Sequence, residues 1–436
     1  MLTQEENDLL TQTGPGTPCG ELMRRYWQPA ALSEELPVGG APVPIRLLGE
    51  DLVLFRDDDG QPGLLGIHCS HRGADLSYGR VEDGGLRCIY HGWLYDRNGR
   101  CLEQPGEPAG STFHERIRQT AYPCIEKNGL IFAYLGPGEP PLLPGYRFLQ
   151  VPANQVYPVK LLSQCNYLQG NEGNIDLLHV GFLHYSYRDL ADAQQNASRV
   201  RRNGSDVDEL DSRGSAPGLE RCEAELTPEG LRVAKIRDLS PEENYIRIGT
   251  FMLPNLSATP GGQTNWHVPI DDTHHWKYTI VFSDSGPIDY EQVSRRHTMD
   301  EHYVPLANRS NRYLQDRSIM NTRSYSGIDP SFFQQQDLCA TEGAGAIQDR
   351  TQEHLVVSDG PTVAGRKILL HAIKEVQEGR DPQHVIRDPA RNDCKDVVTT
   401  FGTIPKGLSW KEHCHNLVQQ GRGWQTRTQV AATAAR

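Results

Sequence analysis

The chain has 436 residues, 37% of them hydrophobic and 23% charged, with a formal net charge of −12. That mix is soluble and globular, too long for one ordinary core and suited to two domains. The acidic balance argues against a sequence-independent grip on nucleic acid or anionic lipid, and no apolar run approaches the ~18 residues of a membrane span.

The chain opens MLTQEENDLL, acidic and without a basic start before an apolar block. Neither a secretory signal nor a transit peptide is read there, so the chain is expected in the cytoplasm. A helix is predicted over Glu21 to Trp27, opened by Gly20 and stopped near Pro29. From Pro44 to about Pro140, short apolar stretches (Ile45–Leu48, Leu52–Phe55, Leu64–Ile67, Leu130–Tyr134) alternate with Gly, Asp and Pro turns, which predicts a small strand-rich domain. GPGEPPLLPG at 136–145 reads as a linker, so residues 1–145 and 146–436 are taken as the two domains. Beyond it, 174–184 is predicted helical and 191–216 a polar surface loop. Strands are predicted at Leu231–Arg237, Tyr245–Leu253 and His275–Phe282, and helices at 290–304 and 365–377, with a loose tail after Gly421. The second domain is thus α+β, an antiparallel sheet with helices packed on it.

Ten cysteines are scattered over the chain, too sparse for a disulfide framework. Only Cys69 and Cys88 sit in a pattern. Cys69-Ser70-His71 is followed, sixteen residues on, by Cys88-Ile89-Tyr90-His91, one Cys and one His in each half. Two loops of this kind facing each other make a four-ligand site. Zinc accepts Cys₂His₂, but finger-type sites pair the two cysteines and then the two histidines, and the strand-like flanks offer no finger helix. Gly73 and Gly92 follow the histidines closely and let the loops fold over a larger group. The pattern resembles a Rieske 2Fe–2S site, with two Cys on one iron and two His on the other. The extra cysteines of the respiratory type are replaced by Ala74 and Tyr90.

A second signal is Glu172-x₃-Asp176-x₂-His179-x₄-His184. Two histidines and a carboxylate form the facial set that leaves positions open on non-haem Fe(II). Histidines five apart point about 140° from each other on a straight helix, so the helix is expected to end or bend near Gly181. Alone, such a pair reads as ordinary surface or core histidines; the upstream Cys/His motif reverses that.

Together these motifs resemble the Rieske non-haem iron ring-hydroxylating oxygenases, in particular the catalytic α subunits of the phthalate dioxygenase-like group. The resemblance extends through RRYWQPA at 24–30, CSHRGA, CIYHGW, NEGNIDLLHVGFLH, WHVPIDDTHHWKY at 266–278 and QDRTQEHLVVSD at 348–359. It implies an all-β Rieske domain followed by a helix-grip catalytic domain on a curved antiparallel sheet. It implies Asp337 as third iron ligand, with Asp349 and Asp359 as competitors in a charged helical stretch. It also implies that Asp176 bridges His179 to a Rieske histidine of a neighbouring subunit, hence a homotrimer or stacked trimers. An NAD(P)H-dependent reductase would supply the electrons, and O2 and a small aromatic molecule would be the substrates. Arg237 and Arg247 share strand faces with Leu231, Val233, Tyr245, Phe251 and Leu253 and are candidates to clamp a substrate carboxylate, against the plainer reading that an acid pairs with them. Ring dihydroxylation of an aryl carboxylate is the expected reaction, O- or N-demethylation the alternative, and a Rieske electron carrier the alternative from another class. A membrane-anchored respiratory protein and a zinc module fit less well.

Overall fold

The computed structural model describes residues 2–185 and 220–424. The loop predicted at 191–216 and the end of the predicted tail therefore lie outside the described residues.

Two short helices come first, α1 (Gln4–Thr11) and α2 (Pro18–Met23). Thr3 and Glu6 close a reciprocal capping box on α1, while Thr17 accepts from Gly20 N to start α2. The predicted helix over Glu21 to Trp27 is thus earlier than expected, because the Thr17-Pro18 pair sets its start. Eleven strands follow: β1 (Gln28–Leu32), β2 (Val43–Leu47), β3 (Glu50–Arg56), β4 (Pro62–Gly66), β5 (Arg80–Glu82), β6 (Gly85–Arg87), β7 (Leu94–Tyr95), β8 (Cys101–Glu103), β9 (Ala121–Tyr122), β10 (Cys124–Lys127) and β11 (Leu130–Ala133). They form three small antiparallel sheets, ordered β1-β11-β10, β2-β3-β4-β9 and β5-β6-β7-β8.

The larger half is built on an eight-stranded sheet. Its order is β12 (Val156–Ser163), β18 (His275–Phe282), β17 (Gln263–Pro269), β16 (Leu256–Thr259), β15 (Glu243–Met252), β14 (Gly230–Asp238) and β13 (Glu220–Leu226). β19 (Thr400–Pro405) pairs with the first half of β15, and β16 with its end. Alternate residues of β14 serve two cores. Leu231 and Val233 join the core that holds Ile368, Leu369 and Ile373 of α7 (Gly360–Gln377), while Ala234 and Ile236 join Trp410 and Leu417 of α8 (Trp410–Gln419). The sheet is therefore gripped on both faces, and α7 is the long helix across it. Between the strands and α7 come α3 (Arg147–Gln150), α4 (Tyr167–Ile175), α5 (Tyr290–Val293) and α6 (Phe333–Gly343).

Two predicted helices are corrected. The chain from 174 to 184 is helical only to Ile175, where Asp176 turns extended (ψ 105°) and its Oδ1 accepts from Leu178 N at 2.8 Å; a short 3-10 turn spans His179–Gly181. The 290–304 helix stops at Val293, and Asp300 Oδ1 accepts from His302 N and Val304 N, a side-chain turn that competes with helix.

The halves are sewn together. α2 packs on α7, Leu48 N and Gly49 N donate to the carbonyls of Pro269 and Ile270, and Lys160 Nζ on β12 meets Glu35 at 2.6 Å. That ammonium also lies 4.2 Å over the Trp276 ring.

Candidate metal centres

The loops carrying the two Cys/His pairs are built alike. In the first, Cys69 N donates to Ala74 O (2.8 Å) and Gly73 N to Cys69 O (2.8 Å); in the second, Cys88 N donates to Trp93 O (2.8 Å) and Gly92 N to Cys88 O (3.0 Å). Each turn closes on a glycine at positive φ, 75° at Gly73 and 74° at Gly92, where a side chain would be strained. Both sulfurs point inward: Cys69 and Cys88 are 3% and 2% exposed, and Tyr95 Oη lies 3.2 Å from Cys69 Sγ. Both imidazoles point outward, their centroids 4.5 Å apart, with His71 stacked on Trp93. Gln119 secures the first loop, accepting from Ser70 N and donating to the carbonyls of Gly66 and His68.

The second set converges more tightly. Among the described residues, His179, His184 and Asp337 are the one group of three or more metal-ligating side chains whose ligand atoms all lie within 4.8 Å of one another. Asp337 Oδ1 is 2.9 Å from His184 Nε2 and 3.7 Å from His179 Nε2. The histidines come from the turns after α4 and Asp337 from α6, so the early end of α4 is what lets two rings five residues apart meet, with centroids 5.1 Å apart. His184 Nδ1 is 2.7 Å from Gln336 Oε1, whose amide is oriented because its Nε2 donates to Ile328 O. The Gln336 oxygen can only accept, so Nδ1 donates to it, and Nε2 is the nitrogen turned toward Asp337 and placed to meet a metal. The ring also stacks on Phe333 at 3.9 Å. Burial would raise the Asp337 carboxyl pKa, but its pairing with His184 and with the Lys277 ammonium holds it well below the usual range. For His179, burial and then His184 lower the pKa against the pull of Asp337 and Asp176, which favours a neutral imidazole.

Residues 26–121 match the family model of the Rieske [2Fe-2S] domain, and residues 133–432 match that of the LigXa C-terminal domain like family. The chain is 35% identical to the phthalate 4,5-dioxygenase oxygenase subunit of Pseudomonas putida, over 95% of each chain. The chain belongs to the Rieske oxygenases. It is also 34% identical to the 5,5'-dehydrodivanillate O-demethylase oxygenase subunit of Sphingobium sp. (strain NBRC 103272 / SYK-6), over 94% of this chain and 90% of that one. Its fold is similar to that of the terminal oxygenase of carbazole 1,9a-dioxygenase from Novosphingobium sp. KA1, with a TM-score of 0.54 at 20% identity, covering 88% and 97% of the two chains.

As a terminal oxygenase component, this Rieske oxygenase works with a 2Fe–2S cluster and a mononuclear iron. The residues present suit both groups. A quartet with sulfurs inside and imidazoles at the surface, spread wider than the tight triad, matches a two-iron group better than a single ion. The triad supplies two nitrogens and a carboxylate on one side of a space, leaving the other side open. That space is a cavity of about 330 Å³, bounded by Ser163, His179, Leu183, His275, Lys277 and Asp337 among others. Its wall holds a buried histidine pair: His275 Nδ1 donates to Cys165 O, His267 Nδ1 donates to His275 Nε2, and Asn174 Nδ2 donates to His267 Nε2. Burial pushes His275 down to about 4 and His267 well below its ordinary value, so both are neutral near pH 7.

The remaining predicted residues lie as follows. Asp176 is 3.8 Å from His179 Nδ1, beyond hydrogen-bond range, and its side chain is 41% exposed. Glu172 is buried and paired with Arg350 (2.8 Å) and Arg366 (2.7 Å), and it is not part of the tight triad. Arg237 is in an ion pair with Glu220, and neither Arg237 nor Arg247 bounds the cavity. Asp349 and Asp359 lie at the 3-10 turns that precede α7: Asp349 caps one by accepting from Thr351 N, and Asp359, the last residue of the other and the residue before α7, accepts from Val356 N at Oδ2. Neither belongs to the tight triad. The sequence reading passed over Phe333, Gln336 and Lys277. The first two were within reach, since Phe333, Gln336 and Asp337 fall at i, i+3 and i+4 on one helix face.

Proposed function

We propose that Cys69, His71, Cys88 and His91 hold the 2Fe–2S cluster and that His179, His184 and Asp337 hold the mononuclear iron. The observation that carries this is the presence, in one chain, of a paired Cys/His loop set and a separate tight 2-His-1-carboxylate set bordering a cavity. When bound, the cluster stores and passes single electrons and the mononuclear iron activates dioxygen. The chain's own side chains do the rest. Gln336 and Phe333 fix the His184 ring, Leu183, Leu338 and Leu355 give the cavity apolar wall, and Asp176 bridges His179 to His91 of a neighbouring copy. The open side of the Asp176 carboxylate supports that bridge, which needs the Oδ2 to His179 gap to close by less than about 1 Å.

The assembly we propose is a trimer or two stacked trimers, served in the cytoplasm by an NAD(P)H-dependent reductase. The domain boundary runs through 136–145, with α1 and α2 packed on the larger half. The substrate is an aromatic carboxylate that undergoes ring dihydroxylation, in keeping with the phthalate and 3-chlorobenzoate relatives. Arg237 and Arg247, outside the residues that bound the cavity, are kept as its candidate carboxylate contacts on the strength of the β14–β15 face they share with Leu231, Val233 and Phe251. O-demethylation is the second reading, favoured by the 34% identity to the dehydrodivanillate O-demethylase subunit. A screen of aromatic acids and aryl ethers with purified protein and a surrogate reductase, read by oxygen uptake and product mass, separates the two. An iron content of about three per chain is expected; about two would reduce the chain to an electron carrier.

A further inference from the structure

A carboxylate can offer a metal one oxygen or two, and the choice decides how many positions remain open. In this chain the two oxygens of Asp337 are engaged differently. Oδ1 faces the imidazoles, 2.9 Å from His184 Nε2 and 3.7 Å from His179 Nε2, whereas Oδ2 accepts from Lys277 Nζ at 3.3 Å. Lys277 stands on β18 between His267 of β17 and Leu161 of β12, with its side chain only 7% exposed, and it borders the same cavity as Asp337 and His179. Asp337 is the one ion-pair partner of Lys277 among the described residues. A buried ammonium holds its counter-charge firmly, because letting go would leave the ammonium desolvated and unpaired.

We propose that Lys277 is a positioning residue that keeps Asp337 a one-oxygen ligand. Its ammonium ties up Oδ2, so that Oδ1 alone completes the set with His179 and His184 and one further coordination position stays open at the cavity. The inference rests on the reading of those three residues as the iron site.

The test uses the full chain with its cluster in place and its mononuclear site emptied by chelation, then refilled with Co(II) as a spectroscopic probe. Lys277→Met keeps an unbranched stem and removes both donor and charge, and Lys277→Arg keeps both. In Lys277→Met, Asp337 is free to bind through its second oxygen. The Co(II) ligand-field bands should weaken as the coordination number rises, and Co(II) should bind about tenfold more tightly, at the low end of what outer-shell partners change. With iron restored, oxygen uptake should slow. Lys277→Arg should keep the wild-type bands. Wild-type bands in Lys277→Met, with Co(II) affinity unchanged or weaker, would overturn the proposal, since a merely structural role gives that result. The cluster's visible absorption in the same sample reports folding; if Lys277→Met loses it, Lys277→Gln carries the comparison with the same two readouts. Asp337→Ala separates the two levels of inference. If it binds Co(II) as the wild type does, the iron-site reading fails. If it loses Co(II) while Lys277→Met changes nothing, only the role of Lys277 fails.

Discussion

His184 is held on three sides, by Asp337 at Nε2, Gln336 at Nδ1 and the Phe333 ring below it. Gln336→Leu removes the acceptor that fixes the tautomer, so affinity for the mononuclear metal should fall by about 10–100-fold while the cluster absorption stays unchanged; equilibrium metal titration checks both. Glu172 shows the same economy with a different purpose. Burial would raise its pKa, but the Arg350 and Arg366 guanidinium groups outweigh that and hold it below the ordinary 4.5. A carboxyl depressed in the folded state stabilises the fold above its unfolded pKa, and that contribution is lost as pH falls through the folded value. Melting temperature should therefore drop on acidification below about pH 4.5, and Glu172→Gln should flatten that drop while lowering stability at pH 7 by about 3–5 kcal/mol, since two buried cations lose their shared partner. At this scale the candidate Cys/His pairs and the two candidate histidines were legible from their spacing, because few other roles place Cys and His at such intervals, whereas Asp337, more than 150 residues on, came only through the family resemblance. Lys277 was not legible: a lysine inside a strand reads as a solvent-facing position, and only its long-range pairing with Asp337 shows otherwise.

The elements that matter most for chemistry are those that stop. α4 ends at Ile175 because the Asp176 side chain captures Leu178 N, and the histidines then ride on turns that can swing together. Periodicity over 174–184 predicted a helix because it registers apolar spacing and is blind to a side chain that competes for the backbone. The middle of α4 is just as constrained. A Cβ at Gly170 would sit 2.2 Å from His267 Nδ1, so the helix lies against the histidine pair with no room to spare. Gly170→Ala should cost about 1–3 kcal/mol and disturb the cavity wall, which urea unfolding and substrate KM would register together. Other elements carried readable signals that the sequence reading missed. Thr3–Glu6 and Ser409–Glu412 are capping boxes that open α1 and α8. β19 had no such signal: TFGTIP gains its strand character from pairing with β15, more than 150 residues earlier in the chain.

For the whole molecule, the bridge proposed for Asp176 links chemistry to assembly. Asp176→Asn keeps size and removes charge, so both metal groups should stay bound and reduction by the reductase should persist. In a single turnover with pre-reduced protein, substrate and oxygen, the return of the oxidised cluster's absorption should become markedly slower; wild-type kinetics would sink the bridge. The same reading expects a solution mass of three or six times 48.8 kDa. The two-part layout was legible from the change in patterning near 136–145, whereas the wrapping of α1 and α2 onto α7 was not, because nothing local in the first 27 residues reports their distant partner. The ties between the halves have a further consequence. The Ser33–Glu35 turn is gripped from the larger half by Lys160, by Arg296 and by the Tyr303 hydroxyl, and the Leu48–Gly49 corner is bonded to Pro269 and Ile270. The loops proposed to hold the cluster are thus mounted on a bracket tied to the larger half. On the proposed ligand set His91 faces the neighbouring copy's Asp176, which leaves the edge of His71 for an electron donor to find, and against a chain of net charge −12 a basic donor would be slowed by added salt.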